Sequence, residues 1–366
     1  MPDREDAIIG CLLGAAVGDA VGLPCEGLSR GRQRRLFGRI DGPRLLCGRG
    51  MVSDDAEHAA LTARALLVSG GDPARFARAL AGELRTWLLT LPAGIGLATL
   101  RATLRLCAGV PPERSGVPSA GNGPAMRGAI LGVCWGHDPE RLRALVRAAT
   151  RITHTDPRAE RGTLAVAHAA FVASQVEEPA PDAFCRSLRA LLGEEGDDLL
   201  ALVEKATASA AAGEATAAFA DSLGPTGGIS GYVYHTVPVA LQAWFRYPLD
   251  CRAAVLAVVG CGGDTDTAAA ITGGIVGAGV GEFGIPPEWL ARLWAWPMTP
   301  EWRADLGRRL AADKPSGEPP QRLPFAARAL RGALFTTLVL AHGFRRLLPP
   351  YGNGPVEDEE ADEEER

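Results

Sequence analysis

The chain has 366 residues, of which 47% are hydrophobic, so it can bury one large core or two ordinary ones and does not read as disordered. Net charge is −5, but Glu357 to Arg366 carries eight acids and one base. Without that stretch the balance is 35 acids to 37 bases, which excludes the basic excess of a nucleic-acid binder. Ala, Leu, Arg and Gly dominate and alternating β-branched runs are scarce, which favours helices over sheets.

Eight dispersed cysteines (11, 25, 47, 107, 134, 185, 251, 261) form no Cys-x-x-Cys pair and read as small buried hydrophobes in a reducing compartment. The acidic N-terminus (Asp3, Glu5, Asp6) does not match a signal peptide, and Asp19 interrupts the apolar run behind it. No uncharged apolar stretch reaches the roughly 18–20 residues of a membrane span. Ala268–Gly281 comes closest, but it is Gly-rich and begins at an acidic motif. The expectation is a cytoplasmic protein without a membrane partner.

In chain order, Ile8, Ile9, Leu12, Leu13 and Ala16 set a helix over 6–20, broken at Gly22 and Pro24, with Cys25-Glu26-Gly27 in a loop. The basic run Arg30–Arg35 reads as a solvated loop. Ser53 is placed as an N-cap, with Asp54 and Asp55 in the first turn of a helix that runs to Ser69 and stops at Gly70-Gly71. Helices follow at 74–90, 97–108, 139–151, 157–176, 180–193 and 196–212. The turn cluster Ser119-Ala120-Gly121-Asn122-Gly123-Pro124 leads into a helix over 124–135. A second Gly-rich loop, Gly224–Tyr232, precedes helices at 236–246 and 250–260. Then comes Gly262-Gly263-Asp264-Thr265-Asp266-Thr267, opening a helix from 266. Residues 313–324 read as a linker, 325–347 as one more helix, and 348–366 as a disordered acidic tail.

Two stretches carry the chemistry. Acids in the first turn of a helix complement its dipole, typically by about 0.3–1 kcal/mol each, and that alone explains either Asp54 or Asp55. Asp264 and Asp266 are harder to explain so, because two carboxylates on a Gly-rich loop repel and no Lys or Arg adjoins them. Four carboxylates with two or three hydroxyls are the ligand set of hard divalent cations. The two Gly-rich loops suit an anion, since Gly lets backbone N–H groups approach a phosphate, but neither matches a P-loop or Gly-x-Gly-x-x-Gly. A lone loop glutamate such as Glu26 is usually solvated, and a lone histidine such as His154 is usually structural.

Six motifs occur together in order: Gly18-Asp19-Ala20-x-Gly22-x-Pro24-x-Glu26, Ser53-Asp54-Asp55, Gly121-Asn122-Gly123-x-Ala125-Met126-Arg127, Thr153-His154, Ser230-Gly231-Tyr232 and Gly263-Asp264-Thr265-Asp266-Thr267. Over residues 6–300 this set resembles the ADP-ribosylglycohydrolase family, the dinitrogenase-reductase-activating and ADP-ribosyl-acceptor hydrolases. The resemblance implies a compact all-α domain over 1–312 with a binuclear Mg²⁺ or Mn²⁺ centre in a cleft. It implies Ser53, Asp54, Asp55, Asp264, Asp266 and Thr267 as metal ligands and Glu26 as the acid beside the scissile bond. It implies Ser119, Gly121, Asn122 and Gly123 as the diphosphate loop, and His154, Ser230, Gly231 and Tyr232 as the lining of an ADP-ribose cleft. The expected partner is an ADP-ribosylated protein or a small ADP-ribosyl conjugate.

The sequence departs from the family pattern at four places. Ser53 and Ala56 stand where Thr is common, Ala120 lacks a ring that some members stack on adenine, and Gly94 stands where many bacterial members have Asp. The last leaves the acceptor type open. A non-catalytic ADP-ribose binder and a hydrolase of another ribosyl conjugate are the rival readings. A His-rich binuclear phosphoesterase is disfavoured, since none of the six histidines lies in the acidic motifs.

Overall fold

The computed structural model describes residues 1–346 other than 47, 93, 225–226, 313–320 and 322. Most of the expected linker (313–324), residue 347 and the acidic tail therefore lie outside the described residues. Among those described, the chain is all-α: helices are joined by turns, and β pairing is confined to isolated bridges.

Two helices form the spine. The first, Arg4–Gly22, is capped by Asp3, whose side chain accepts from the Asp6 N–H, and it is buried from Ala7 to Gly22. By length and composition it is apolar enough to cross a bilayer, but here it is wholly enclosed by the core. Its partner, Thr265–Val280, runs antiparallel and is as deeply buried. Their contact is made by small residues spaced one turn apart. A Cβ at Gly14 would sit 2.0 Å from the Gly273 carbonyl oxygen, one at Gly10 2.2 Å from that of Gly277, and one at Gly18 2.0 Å from that of Ala269. Only hydrogen at these positions lets the backbones touch. The ends of this pair hold two of the predicted motifs, so the contact brings Pro24-Cys25-Glu26 against Asp264–Thr267.

The Asp54–Ser69 helix packs beside the spine. Ser53 accepts from the Asp55 N–H at 3.2 Å, and Gly70 ends the helix in the left-handed region at φ 60°. Helices Pro157–Ala173, Gly128–Trp135 and Val233–Arg246 close the core from the other side.

The expected boundaries hold closely for Pro73–Leu89, Leu97–Cys107, Pro139–Arg151 and Phe325–Arg346. The basic run is a correction. Arg30–Phe37 is helical, and Arg30 forms a two-pronged ion pair with Asp221 at 2.7 and 2.8 Å while donating to the Cys261 and Ala217 carbonyls. A good helix former with a partner 191 residues away does not stay a solvated loop. The 124–135 segment starts as a 3₁₀ turn over Ala125–Arg127 before the α-helix begins at Gly128. Thr216–Leu223 and Pro300–Ala311 are additional helices.

Candidate active site

A cleft of about 390 Å³ opens where the spine, the Asp54 helix and the two Gly-rich loops meet. Twelve of the fifteen predicted site residues line it: Glu26, Asp54, Asp55, Ser119, Gly121, Asn122, Gly123, His154, Gly231, Asp264, Asp266 and Thr267. The other three stand just behind or beside it.

The acidic floor is built by two helix starts. Asp55 is buried, and its Oδ2 accepts from the Ser53 hydroxyl at 3.1 Å and from the Thr267 hydroxyl at 3.2 Å. That places Ser53, which does not line the cleft, directly against a residue that does, and it joins stretches 212 residues apart. Asp266 is buried on the next turn, and Asp264 is half-buried at the end of the Gly-rich loop. Burial, then neighbouring carboxylates, pushes Asp54, Asp55 and Asp266 well above the usual carboxylate range. Glu26, exposed on the turn after the Leu23–Cys25 3₁₀ helix, contributes to that repulsion at both Asp54 and Asp266.

Behind the floor lies a residue that the sequence reading notes but does not assign. Asp19 is fully buried in the first helix; both its carboxylate oxygens accept from the Ser53 N–H at 2.9 Å, and Oδ2 also accepts from the Ala56 N–H at 3.0 Å. It thereby caps the Asp54 helix from outside. Burial pushes it up to about 7, against those N–H bonds and the nearby Arg303, which pull it down. Arg303, itself buried, donates to the Ala56 carbonyl at 2.9 Å. A lone charge in the apolar run that follows the helix's first turn is the signal that marks Asp19.

The opposite wall is the Gly121–Gly123 loop. Asn122 donates to Asp264 Oδ2 at 2.6 Å and to the Thr236 hydroxyl at 3.0 Å, and its own N–H donates to the Gly231 carbonyl. Thr236, missed by the sequence reading, in turn donates to the Ser230 carbonyl at 2.8 Å. The loop is thus tied to both the acidic stretch and the Ser230–Tyr232 stretch. His154 packs beneath it, so close that a Cβ at Gly123 would lie 3.1 Å from the ring. Burial and Arg127 push His154 down to about 3, keeping the imidazole neutral.

Ser230 does not enter the cleft; its hydroxyl is 3.0 Å from His235 Nδ1. Tyr232 stands at the rim, 40% exposed, with the Arg158 guanidinium 5.7 Å from its ring centre. Gly94, Gly96, Leu97, Ala98, Thr99 and Met126 complete the lining. Gly94 has φ 79°, and a Cβ there would be 4.0 Å from Asp54 Oδ1, so this position faces the acidic floor.

Among the described residues no Arg, Lys or His pairs with Asp54, Asp55, Asp264 or Asp266, and no three acidic, His or Cys side chains converge on a single point. Four crowded carboxylates with two hydroxyls, with the buried Arg127 as a cation whose charge reaches Asp54, form a donor set whose chemistry fits oxygen-ligated divalent cations.

Residues 1–319 match the family model described as ADP-ribosylglycohydrolase. The chain belongs to the ADP-ribosylglycohydrolase family. Among relatives of this family, an uncharacterized protein of Archaeoglobus fulgidus is 32% identical over 296 residues, which is 79% of this chain and 92% of the relative. The ADP-ribosyl-[dinitrogen reductase] glycohydrolase of Rhodospirillum rubrum is 27% identical over 298 residues, covering 80% of this chain and 92% of that enzyme. A solved structure described as an ADP-ribosylglycohydrolase-related protein complex is 30% identical. It superposes with a TM-score of 0.64 over 85% of this chain and 99% of its own. The all-α architecture is thus that of the ADP-ribosylglycohydrolases.

Proposed function

We propose that the protein is a divalent-metal-dependent hydrolase that cleaves the glycosidic bond between ADP-ribose and an acceptor, a protein side chain or a small conjugate. The observation that carries the reading is the junction of Asp55 with Ser53 and Thr267, which assembles both acidic stretches on the floor of one cleft.

Ser53, Asp54, Asp55, Asp264, Asp266 and Thr267 would hold two cations, Mg²⁺ or Mn²⁺. When bound, these supply Lewis acidity, lowering the pKa of water and orienting ribose hydroxyls. The remaining work belongs to the chain's own groups. A cleft of this size suits a nucleotide-sized ligand. The Gly121–Gly123 loop presents main chain to a diphosphate, and the buried Arg127 behind it, bonded to the Thr153 hydroxyl at 2.7 Å, adds positive charge without competing for the ligand. Neutral His154 lets the loop pack tightly, and Tyr232 covers the rim. As the ribose C1 develops oxocarbenium character, a Glu26 carboxylate oxygen accepts the proton of the incoming water. The water oxygen bonds to C1 as the C1–acceptor bond breaks, the acceptor leaves with the proton that Glu26 took up, and ADP-ribose is released.

The test is a turnover screen with ADP-ribosylated arginine and serine peptides and small ADP-ribosyl conjugates, in Mn²⁺ or Mg²⁺ and in EDTA. The reading expects release of ADP-ribose from at least one substrate, abolished by EDTA. Binding of ADP-ribose without turnover on any substrate would replace it with a non-catalytic binder.

A further inference from the structure

The helix Phe325–Arg346 lies beyond residues 1–319, the part of the chain that the family model matches. It nevertheless docks on three backbone segments that lead into the cleft. Phe335 is buried with Leu23 and Met51. Gly332 crosses Thr90 so closely that a Cβ would lie 1.9 Å from its carbonyl oxygen, and the Thr336 hydroxyl donates to the Leu91 carbonyl at 3.3 Å. His342 Nε2 is 3.1 Å from the Pro24 carbonyl oxygen. These contacts fall just before Glu26, just before Ser53 and just before the Gly94–Thr99 rim.

Arg331 makes the most pointed of them. It is 5% exposed and packs over the Phe335 ring at 4.4 Å. One guanidinium nitrogen pairs with Glu57 Oε1 at 2.9 Å, and another donates to the Val52 carbonyl. Val52 is the residue before Ser53, and Glu57 is one helical turn past Asp54. A single side chain therefore grips the Ser53-Asp54-Asp55 turn from both ends. Trp87 holds the other Glu57 oxygen at 2.7 Å, so the carboxylate is fixed on two sides. Guanidinium suits this task because its donors are planar, rigidly spaced and always charged; an ammonium offers one point charge. The pairing also sets a positive charge against Glu57, whose carboxylate adds to the repulsion at Asp54.

We propose that Arg331 is a positioning residue for the metal-ligand turn: a clamp, contributed by a helix outside the family domain, that holds Ser53, Asp54 and Asp55 in the geometry cations need. The proposal rests on the metal reading given above. Partners one layer behind metal ligands typically contribute about 10–100-fold to affinity.

The test measures Mn²⁺ binding by calorimetry and amide hydrogen exchange on the full chain, for wild type, Arg331→Ala, Arg331→Lys, Glu57→Gln and the Arg331→Ala/Glu57→Gln double variant. Arg331→Ala is expected to weaken Mn²⁺ binding by about 10–100-fold. It should also speed exchange at residues 52–57 while leaving the distant helix Pro181–Leu192 unchanged. Arg331→Lys should fall between, and the double variant should lose less than the sum of the single losses. If Arg331→Ala fails to fold, Arg331→Lys and Glu57→Gln, which keep the helix docked, carry the same readouts. Wild-type Mn²⁺ affinity in Arg331→Ala, or faster exchange spread equally to the 181–192 helix, would overturn the proposal alone. A wild type that binds no Mn²⁺ would overturn the metal reading and the proposal with it.

Discussion

Replacing Asp19 by alanine takes away the carboxylate that accepts from two buried N–H groups, those of Ser53 and Ala56. A buried donor left without a partner costs about 1–3 kcal/mol, so the two together cost roughly 2–6 kcal/mol. Loss of an external helix cap acts in the same direction. At about 2–4 °C per kcal/mol for a chain of a few hundred residues, Asp19→Ala should melt of order 10 °C below wild type. Asp19→Asn keeps one acceptor oxygen but turns an N–H donor toward its former partners, so it should recover about half of that loss. Scanning calorimetry in EDTA reads the structural term without interference from bound metal. A parallel Mn²⁺ titration reads whether the Asp54 turn has shifted. If Asp19→Ala melts within about 2 °C of wild type, the capping account is wrong. If Asp19→Asn is as damaged as Asp19→Ala, the negative charge rather than the acceptor count is what the site requires.

Three further outcomes follow from the geometry. Glu26→Gln should lower turnover by about 10²–10⁴-fold, the usual contribution of a positioned acid or base, while Mn²⁺ and ADP-ribose still bind by calorimetry; full turnover removes Glu26 from the chemistry. Gly14→Ala should destabilise the protein by about 1–3 kcal/mol through overpacking against Gly273, whereas Gly82→Ala, which meets nothing within 4 Å in its helix, should stabilise by about 0.5–1 kcal/mol; denaturant midpoints showing both changes alike would refute the close-contact account. In EDTA, burial holds protons on Asp54, Asp55 and Asp266, and on Asp19 up to about 7, that the unfolded chain has lost. The folded state therefore binds more protons, and stability should rise as pH falls through about 7, where Asp19 takes up its proton. It should flatten below about 6.5, where His58, His154 and His168, kept neutral by burial, oppose further gain; a melting temperature that climbs steadily with pH from 6.5 to 8.5 would contradict this.

Local grammar made much of this fold readable. Ser53 as a cap, acids in the first turn and Gly70 at the far end delimit a helix by chemistry that acts within a few residues, and the structure begins and ends it there. The acidic stretches were legible for the same reason: unpaired carboxylates on a Gly-rich loop demand an explanation wherever they fold. What escaped was set by distant partners. Arg30 reads as one charge in a basic run until Asp221 arrives from another helix. Thr236 matters only because it meets Asn122, and Asp19 only because the Asp54 helix starts above it. The helix Pro300–Ala311 was missed although Thr299 caps it, because its core side carries the buried Arg303, a residue type that reads as surface.

The glycine contact of the spine has a hidden ambiguity. Its small residues recur every four positions on both helices, so sliding one helix past the other by a single turn, about 6 Å, again sets small residue against small residue: Gly10 on Gly281, Gly14 on Gly277, Gly18 on Gly273. The packing face alone therefore does not choose between the two alignments. The choice is made at the ends. At one end Gly27 donates to the Gly263 carbonyl at 2.7 Å and Gly263 donates back to the Leu28 carbonyl at 2.9 Å; at the other, Asp6 accepts from the Glu282 N–H at 2.7 Å. A chain that closed one turn out of step would keep small residues facing one another along this seam, yet it would carry Asp266 and Thr267 away from Asp55. The end contacts that keep this register are therefore also what keeps the acidic cleft assembled.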